Sequence, residues 1–488
     1  MFSSRIFLVL IFFLGLLPSL SFIHMFSKDS IIYFSLAESF RLYKAYSFQQ
    51  LFGYGTTELG LQARAPLFPF LLALSQSVFG NNLLGAYLPL FIARILIAPL
   101  TFLVSKNFLP LPVAFFASSL IVFIPKLQTY SLSAFEADGF VCVFFLLSIY
   151  FYLQYHKSKN IYHLLLTGVS LGFLILTKEL GLPISAGFII AILVEKYFNK
   201  DNLFLSFKSF LVLILPLVII TLPFFTYTLI KDGNLYFSAL TVDRNILYFP
   251  ENIFILLKSV PYYFLGLDGD LLSNQTLRSI FINSTIITFF LIGLIYFVIS
   301  RKLIFVLPIA FTLLSLSLLR TQSIGGNLPW NYELITILAF TMPIASIFIF
   351  KGMLLIVDLI FHKHHFFSKH KNLLYLFFAS ILLLKFVNNF FARPFTLDFS
   401  GDYYINGSTI ILNRHDIPVF SFSRDIYGTL NLVNSQVFFT YMKNDYRNEK
   451  VIVFSKNFKT ITTVLVFLGF CYGLLEQLLI RKKLKNSK

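Results

Sequence analysis

Apolar runs of about twenty residues recur along the whole of this 488-residue chain. That recurrence narrows the fold more than any other feature. A peptide backbone inside lipid must satisfy its own hydrogen bonds, so runs of this length fold as membrane-spanning helices. They fall at about 6–23, 83–105, 108–125, 139–155, 161–177, 179–195, 209–230, 280–299, 303–319, 332–350, 372–392 and 460–480, about twelve in all. The sequence is 57% hydrophobic and only 12% charged. A soluble domain of this size is excluded.

Charge then sets orientation. The formal net charge of +17 would suggest a nucleic-acid partner in a soluble protein, but here the basic residues alternate in register with the runs. With the N-terminus inside, Lys106, Lys157 and Lys159, Lys196, Lys200 and Lys208, Arg301 and Lys302, the His362–Lys371 cluster and Arg481–Lys483 all fall on the cytoplasmic side. No nucleic-acid partner is implied. The alternation requires that residues 66–79 do not cross, and this Pro-flanked run of about fourteen residues has the length of an interfacial or re-entrant helix. The first run, after Arg5, is read as a retained span, since no A-x-A-like cleavage site follows it. Cys142 and Cys471 both lie in apolar runs, which indicates neither a disulfide framework nor a zinc site.

The expected fold is an all-α polytopic membrane protein of about twelve transmembrane helices, multi-pass, with both termini cytoplasmic. Its transmembrane domain is placed at residues 1–392, with a large first external loop at 24–82 and a second at 231–279. Residues 393–459 are Asn-rich and alternate in places, as at Ser408–Leu412 and Val451–Phe454, which suggests a small external C-terminal α/β or β-rich lobe. Residues 460–488 supply the last span and a basic tail.

The ionisable residues most able to carry chemistry each admit two readings. Asp29 follows the first span, and if Ser30 onward is helical then Asp29, Tyr33 and Ala37 share a face. Asp29 is then either a helix cap or a carboxylate at the water boundary able to take a proton from a hydroxyl. Arg64, before Pro66 and Pro69, is either a snorkelling cation or a guanidinium held for a lipid phosphate. Glu136 and Asp138, at the outer end of a span, are either solvated caps or a used pair of acids. Lys178, in the turn Thr177-Lys178-Glu179-Leu180-Gly181, either pairs with Glu179, snorkels or makes a second phosphate contact. Arg320 opens the loop that carries Trp330, the single tryptophan and a candidate interfacial anchor. Arg94, midway along a span, is read as structural, pointing into the bundle or snorkelling.

Asp29, Arg64, Glu136, Asp138, Lys178 and Arg320 all gather on one face of the membrane. An ion-coupled carrier places such groups near the midplane, at a repeat interface. One-sidedness fits a surface site at which a lipid-borne substrate meets an acceptor.

Four stretches also resemble a known family in the same order along the chain. These are Asp29 through Ala37, with an acid followed at helical spacing by Tyr33, and Arg64-Ala65-Pro66-Leu67-Phe68-Pro69 running on to Gly80. The others are Asp138 at the head of a span and Gly168 through Lys178, a Gly-rich helix ending in Thr-Lys. Together they resemble the GT-C superfamily of integral-membrane glycosyltransferases, in the branch of protein mannosyltransferases, aminoarabinose transferases and RgtA-like enzymes. The sequence departs from that pattern at Ser30, at Ala63 and at Asn331-Tyr332. The resemblance implies inverting transfer of a hexosyl or pentosyl sugar from a polyprenyl-phosphate-sugar donor to a lipid, glycan or protein acceptor at the external or periplasmic face of a bacterial inner membrane. In that role Asp29 is the general base, while Arg64, Lys178 and Arg320 hold the phosphate, and Tyr33, Glu136 and Asp138 line the substrate site. No metal or other cofactor is implied. The competing readings are a transporter or flippase of lipid-linked glycans, and an inactive family member.

Overall fold

In a computed structural model the description covers residues 2–21, 33, 36–37, 40–41, 44, 65–80, 83–124, 137–198, 203–232, 277–317, 339–361, 371–392, 403–406, 409–414, 417–422 and 449–486. Helix α1 (Phe2–Ser21) is followed by α2 (Leu67–Phe79), α3 (Leu83–Ser105), α4 (Leu111–Val122), α5 (Asp138–Ser158), α6 (Ile161–Thr177), α7 (Gly181–Phe198) and α8 (Leu203–Asp232). Next come α9 (Leu277–Ile299), a 3₁₀ turn at Leu303–Phe305, α10 (Leu307–Ser317), α11 (Thr341–Phe361) and α12 (Lys371–Ala392). Strands β1 (Tyr403–Asn406), β2 (Thr409–Arg414) and β3 (Ile417–Phe422) form an antiparallel sheet in sequence order, with Ile405 opposite Ile410 and Leu412 opposite Phe420. Helix α13 (Glu449–Asn486) closes the described chain.

The protein is an integral membrane protein. Six of the described helices have stretches long and apolar enough to cross a bilayer: Leu88–Ser105, Asp138–Ser158, Gly181–Phe198, Lys208–Ile230, Thr341–Phe361 and Thr460–Leu479. Others, including α4 and α6, are as apolar but shorter. Helix α2, at 13 residues, spans about 20 Å, well short of the roughly 30 Å hydrocarbon core. Two boundaries differ from the sequence reading. The span expected at 332–350 forms a helix at Thr341–Phe361, and residues 451–454, expected to belong to the external lobe, form the first turns of α13. A 38-residue helix is about 57 Å long, so α13 extends well beyond its apolar stretch.

The helices meet through small residues. A Cβ on Gly168 would fall 2.1 Å from the Leu213 carbonyl oxygen, and one on Gly172 would fall 3.1 Å from Ile220, so these two glycines of α6 seat α8. Gly293 of α9 and Gly352 of α11 do the same reciprocally, each lying against a backbone carbonyl of the other helix, at Phe348 and Phe289. Without a hydrophobic drive between helices in lipid, such close backbone approach supplies the packing energy. Arg94 of α3 is buried, pointing into the bundle rather than snorkelling.

The turns between helices sort by end. At one end, Lys157 donates to Asn107, Tyr152 donates to Glu195 over 3.3 Å, and Glu195 accepts from the Ile304 backbone N–H at 3.3 Å. These contacts tie the basic α3–α4, α5–α6 and α9–α10 turns to the end of α7. The ammonium of Lys106 in the first of them is held below its ordinary range by burial, with Lys157 adding repulsion. Asp138 heads α5 while Lys157 lies near its far end, about 30 Å away along the axis.

Candidate functional site

At the opposite end from the basic turns, α5 begins at Asp138 and α6 ends at Thr177. Lys178, the C-cap of α6, is extended (φ −154°, ψ 153°), which turns its side chain off the helix and toward the head of α5. The turn behind it is fixed: the Gly181 N–H donates to the Lys178 carbonyl at 2.8 Å, and the Thr177 hydroxyl donates to the Phe173 carbonyl at 2.7 Å. Gly181 is required there, because a Cβ would stand 2.1 Å from the Leu174 carbonyl oxygen. From this turn the Lys178 ammonium donates to both carboxylate oxygens of Asp138, at 3.0 and 3.1 Å.

Asp138 is 2% exposed and Lys178 is 6% exposed. Asp138 is therefore not the solvated cap that its position permitted, and Lys178 is committed to Asp138, forty positions earlier, rather than snorkelling. Glu179 is buried beside them. A buried ion pair of this kind survives only when its two charges satisfy one another closely.

An aromatic ladder ties the pair to the segments that precede it. Phe140 of α5 meets Phe68 of α2 with ring centroids 5.9 Å apart, and Phe68 meets Tyr33 edge-on at 4.9 Å. Tyr33, Leu36 and Ala37 are helical and buried. Ala65, at the entry to α2, is also buried. Of the sequence-predicted site residues the structure thus brings Tyr33, Asp138 and Lys178 into one region. Asp29, Arg64, Glu136 and Arg320 lie outside the described residues. Among the described residues no group of three or more His, Cys, Asp or Glu side chains is arranged to hold a metal ion.

Ser75 and Gln76 are among the buried polar residues that the sequence reading did not single out. Both lie on the buried face of α2, where the apolar pattern conceals them. A helical Gln between Leu and Val positions reads as solvent-facing by default.

No curated protein matches the chain. Among solved structures, ArnT from Cupriavidus metallidurans in the apo state is similar over 96% of this chain and 76% of its own length, at 15% identity and a TM-score of 0.49. The same protein bound to undecaprenyl phosphate gives 13% identity and a TM-score of 0.48. An oligosaccharyltransferase from Archaeoglobus fulgidus, in a complex with Zn and sulfate, matches at 13% identity and a TM-score of 0.44, and this chain spans about half of its length (52%). Residues 63–226 match the family model of the dolichyl-phosphate-mannose-protein mannosyltransferases. That stretch holds α2, Asp138 and Lys178.

Proposed function

We propose that the chain is a membrane glycosyltransferase that moves a sugar from a polyprenyl-phosphate carrier to a lipid, glycan or protein acceptor on the external face of the membrane. The observation that carries this reading is the buried Asp138–Lys178 pair, set at one end of the bundle within the stretch that matches the mannosyltransferase family. A lone structural ion pair is seldom retained where lipid makes charge costly. A fixed ammonium at that end of the bundle suits a phosphate.

In this reading Asp29 takes the proton of the acceptor hydroxyl or amine as its oxygen or nitrogen forms a bond to the anomeric carbon. The bond from that carbon to the phosphate oxygen breaks on the opposite face, and its electron pair leaves with the polyprenyl phosphate, so configuration inverts. Arg64, Lys178 and Arg320 stabilise the charge that accumulates on the leaving phosphate. Asp138 holds the Lys178 ammonium in place for that role, so that little reorganisation remains to be done during reaction. Glu136 lines the approach of the acceptor, and the buried Tyr33 supports α2 through Phe68. In this reading the donor is a polyprenyl-phosphate-linked sugar, and both termini lie in the cytoplasm.

The decisive measurement is transfer from a labelled polyprenyl-phosphate sugar in membranes carrying Asp29→Asn. The variant should insert normally and lose transfer by about a hundredfold or more. Turnover at the wild-type rate would remove Asp29 from the mechanism.

A further inference from the structure

Helix α2 buries polar groups in an unusual way. Gln76 is 2% exposed and Ser75 is 8% exposed. Neither the Nε2 nor the Oε1 atom of Gln76, nor the Ser75 hydroxyl, has a hydrogen-bond partner among the described residues. By contrast Ser77, on the same helix, donates to the Ala73 carbonyl at 2.8 Å, and Thr101, Ser118, Thr167 and Thr177 of other helices each donate to the carbonyl four residues back. Buried polar groups are nearly always satisfied, so three orphaned atoms on adjacent residues mark a place shaped for a polar guest.

The chemistry of the atoms selects the guest. The amide offers two donors and an acceptor, and the hydroxyl offers one donor and its own lone pairs. None carries charge. That set suits neutral hydroxyl groups and is poorly matched to a metal ion, a phosphate or a hydrocarbon tail.

The setting points the same way. The buried face of α2 runs from Phe68, packed on Phe140 two residues from Asp138, to Gln76 near the C-terminal end of the helix. Its underside lies on α3 and on α6, the helix capped by Lys178. The far end is drawn tight by Gly80 (φ 89°) and by Gly85, where a Cβ would stand 3.2 Å from the Gln76 Cα. A single short helix thus joins the surroundings of the proposed phosphate contact to an unsatisfied neutral polar site.

We propose that Gln76, with Ser75, is a saccharide-recognising subsite that receives hydroxyls of the sugar on a lipid-linked donor. The inference rests on the glycosyl-transfer reading above. Sugar hydroxyls that reach this face of α2 supply the hydrogen bonds that the Gln76 amide and the Ser75 hydroxyl lack.

The test compares binding of undecaprenyl phosphate and of its mannosyl ester to purified wild-type protein and to Gln76→Met, which keeps the volume and removes the amide. The variant should lose about tenfold in affinity for the sugar-bearing lipid while its affinity for the sugar-free lipid stays unchanged. Its ligand-free melting temperature should rise, because an apolar side chain there leaves nothing unsatisfied. Ser75→Ala should show the same selectivity with a smaller loss. Equal losses for both lipids, or wild-type affinity for both in Gln76→Met, would overturn the subsite and leave the transfer reading standing. A wild-type protein that binds neither lipid would sink both.

Discussion

Asp138 and Lys178 place a carboxylate and an ammonium together in a site closed to water, and the energetics of such a pair are asymmetric. Removing one partner strands the other charge and costs about 3–5 kcal/mol, whereas replacing both by apolar groups of similar size is near neutral. Asp138→Leu and Lys178→Met should therefore each lower the melting temperature of the detergent-solubilised protein sharply. The double variant should recover most of that loss. Transfer activity separates structure from chemistry in the same cycle. If Lys178 touches the donor phosphate, the double variant stays inactive although it is stable; recovery of transfer together with stability would reduce the pair to a staple.

At the scale of elements, the pairing of α9 with α11 depends on Gly293 and Gly352. A Cβ at Gly352 would stand 1.8 Å from the Phe289 carbonyl oxygen, and one at Gly293 would stand 1.9 Å from that of Phe348. Backbone cannot yield as a flexible side chain does, so the helices must separate to admit a methyl group. Gly352→Ala should destabilise the protein by about 3 kcal/mol, measured as a loss of melting temperature, while an alanine at an exposed position of the same helix, Leu359→Ala, should leave it nearly unchanged. The positions of helices α3 and α6 were legible in the sequence because length and apolarity determine a span in lipid, and α2 was legible as too short to cross. The start of α11 was not, since the apolar run begins before the helix and periodicity carries no mark of where a buried helix starts. Asp138 and Lys178 could each be picked out as charges beside lipid, yet their partnership could not: it depends on the extended backbone at Lys178 and on which helices lie side by side. Gln76 was hidden because its burial is decided by α3 and α6 rather than by its neighbours in sequence.

Across the whole molecule, the two ends of the bundle are chemically distinct. One end gathers Lys106, Lys157, Lys302 and the Glu195 bridge, and the other holds Asp138 with Lys178. In the proposed orientation, with positive charge retained on the cytoplasmic side, the ion pair, α2 and the proposed sugar subsite face the external leaflet, where a lipid-linked donor would have to be presented. Single cysteines test this arrangement after Cys142 and Cys471 are replaced by alanine. Ser158→Cys is at the basic end, in an exposed position, and Asn81→Cys is in the segment between α2 and α3. A membrane-impermeant maleimide applied to intact cells should label Asn81→Cys and reach Ser158→Cys only after permeabilisation. The reverse pattern would put Asp138 and Lys178 at the cytoplasmic leaflet, and the donor sugar would then have to be used on the side where it is made rather than after crossing the membrane.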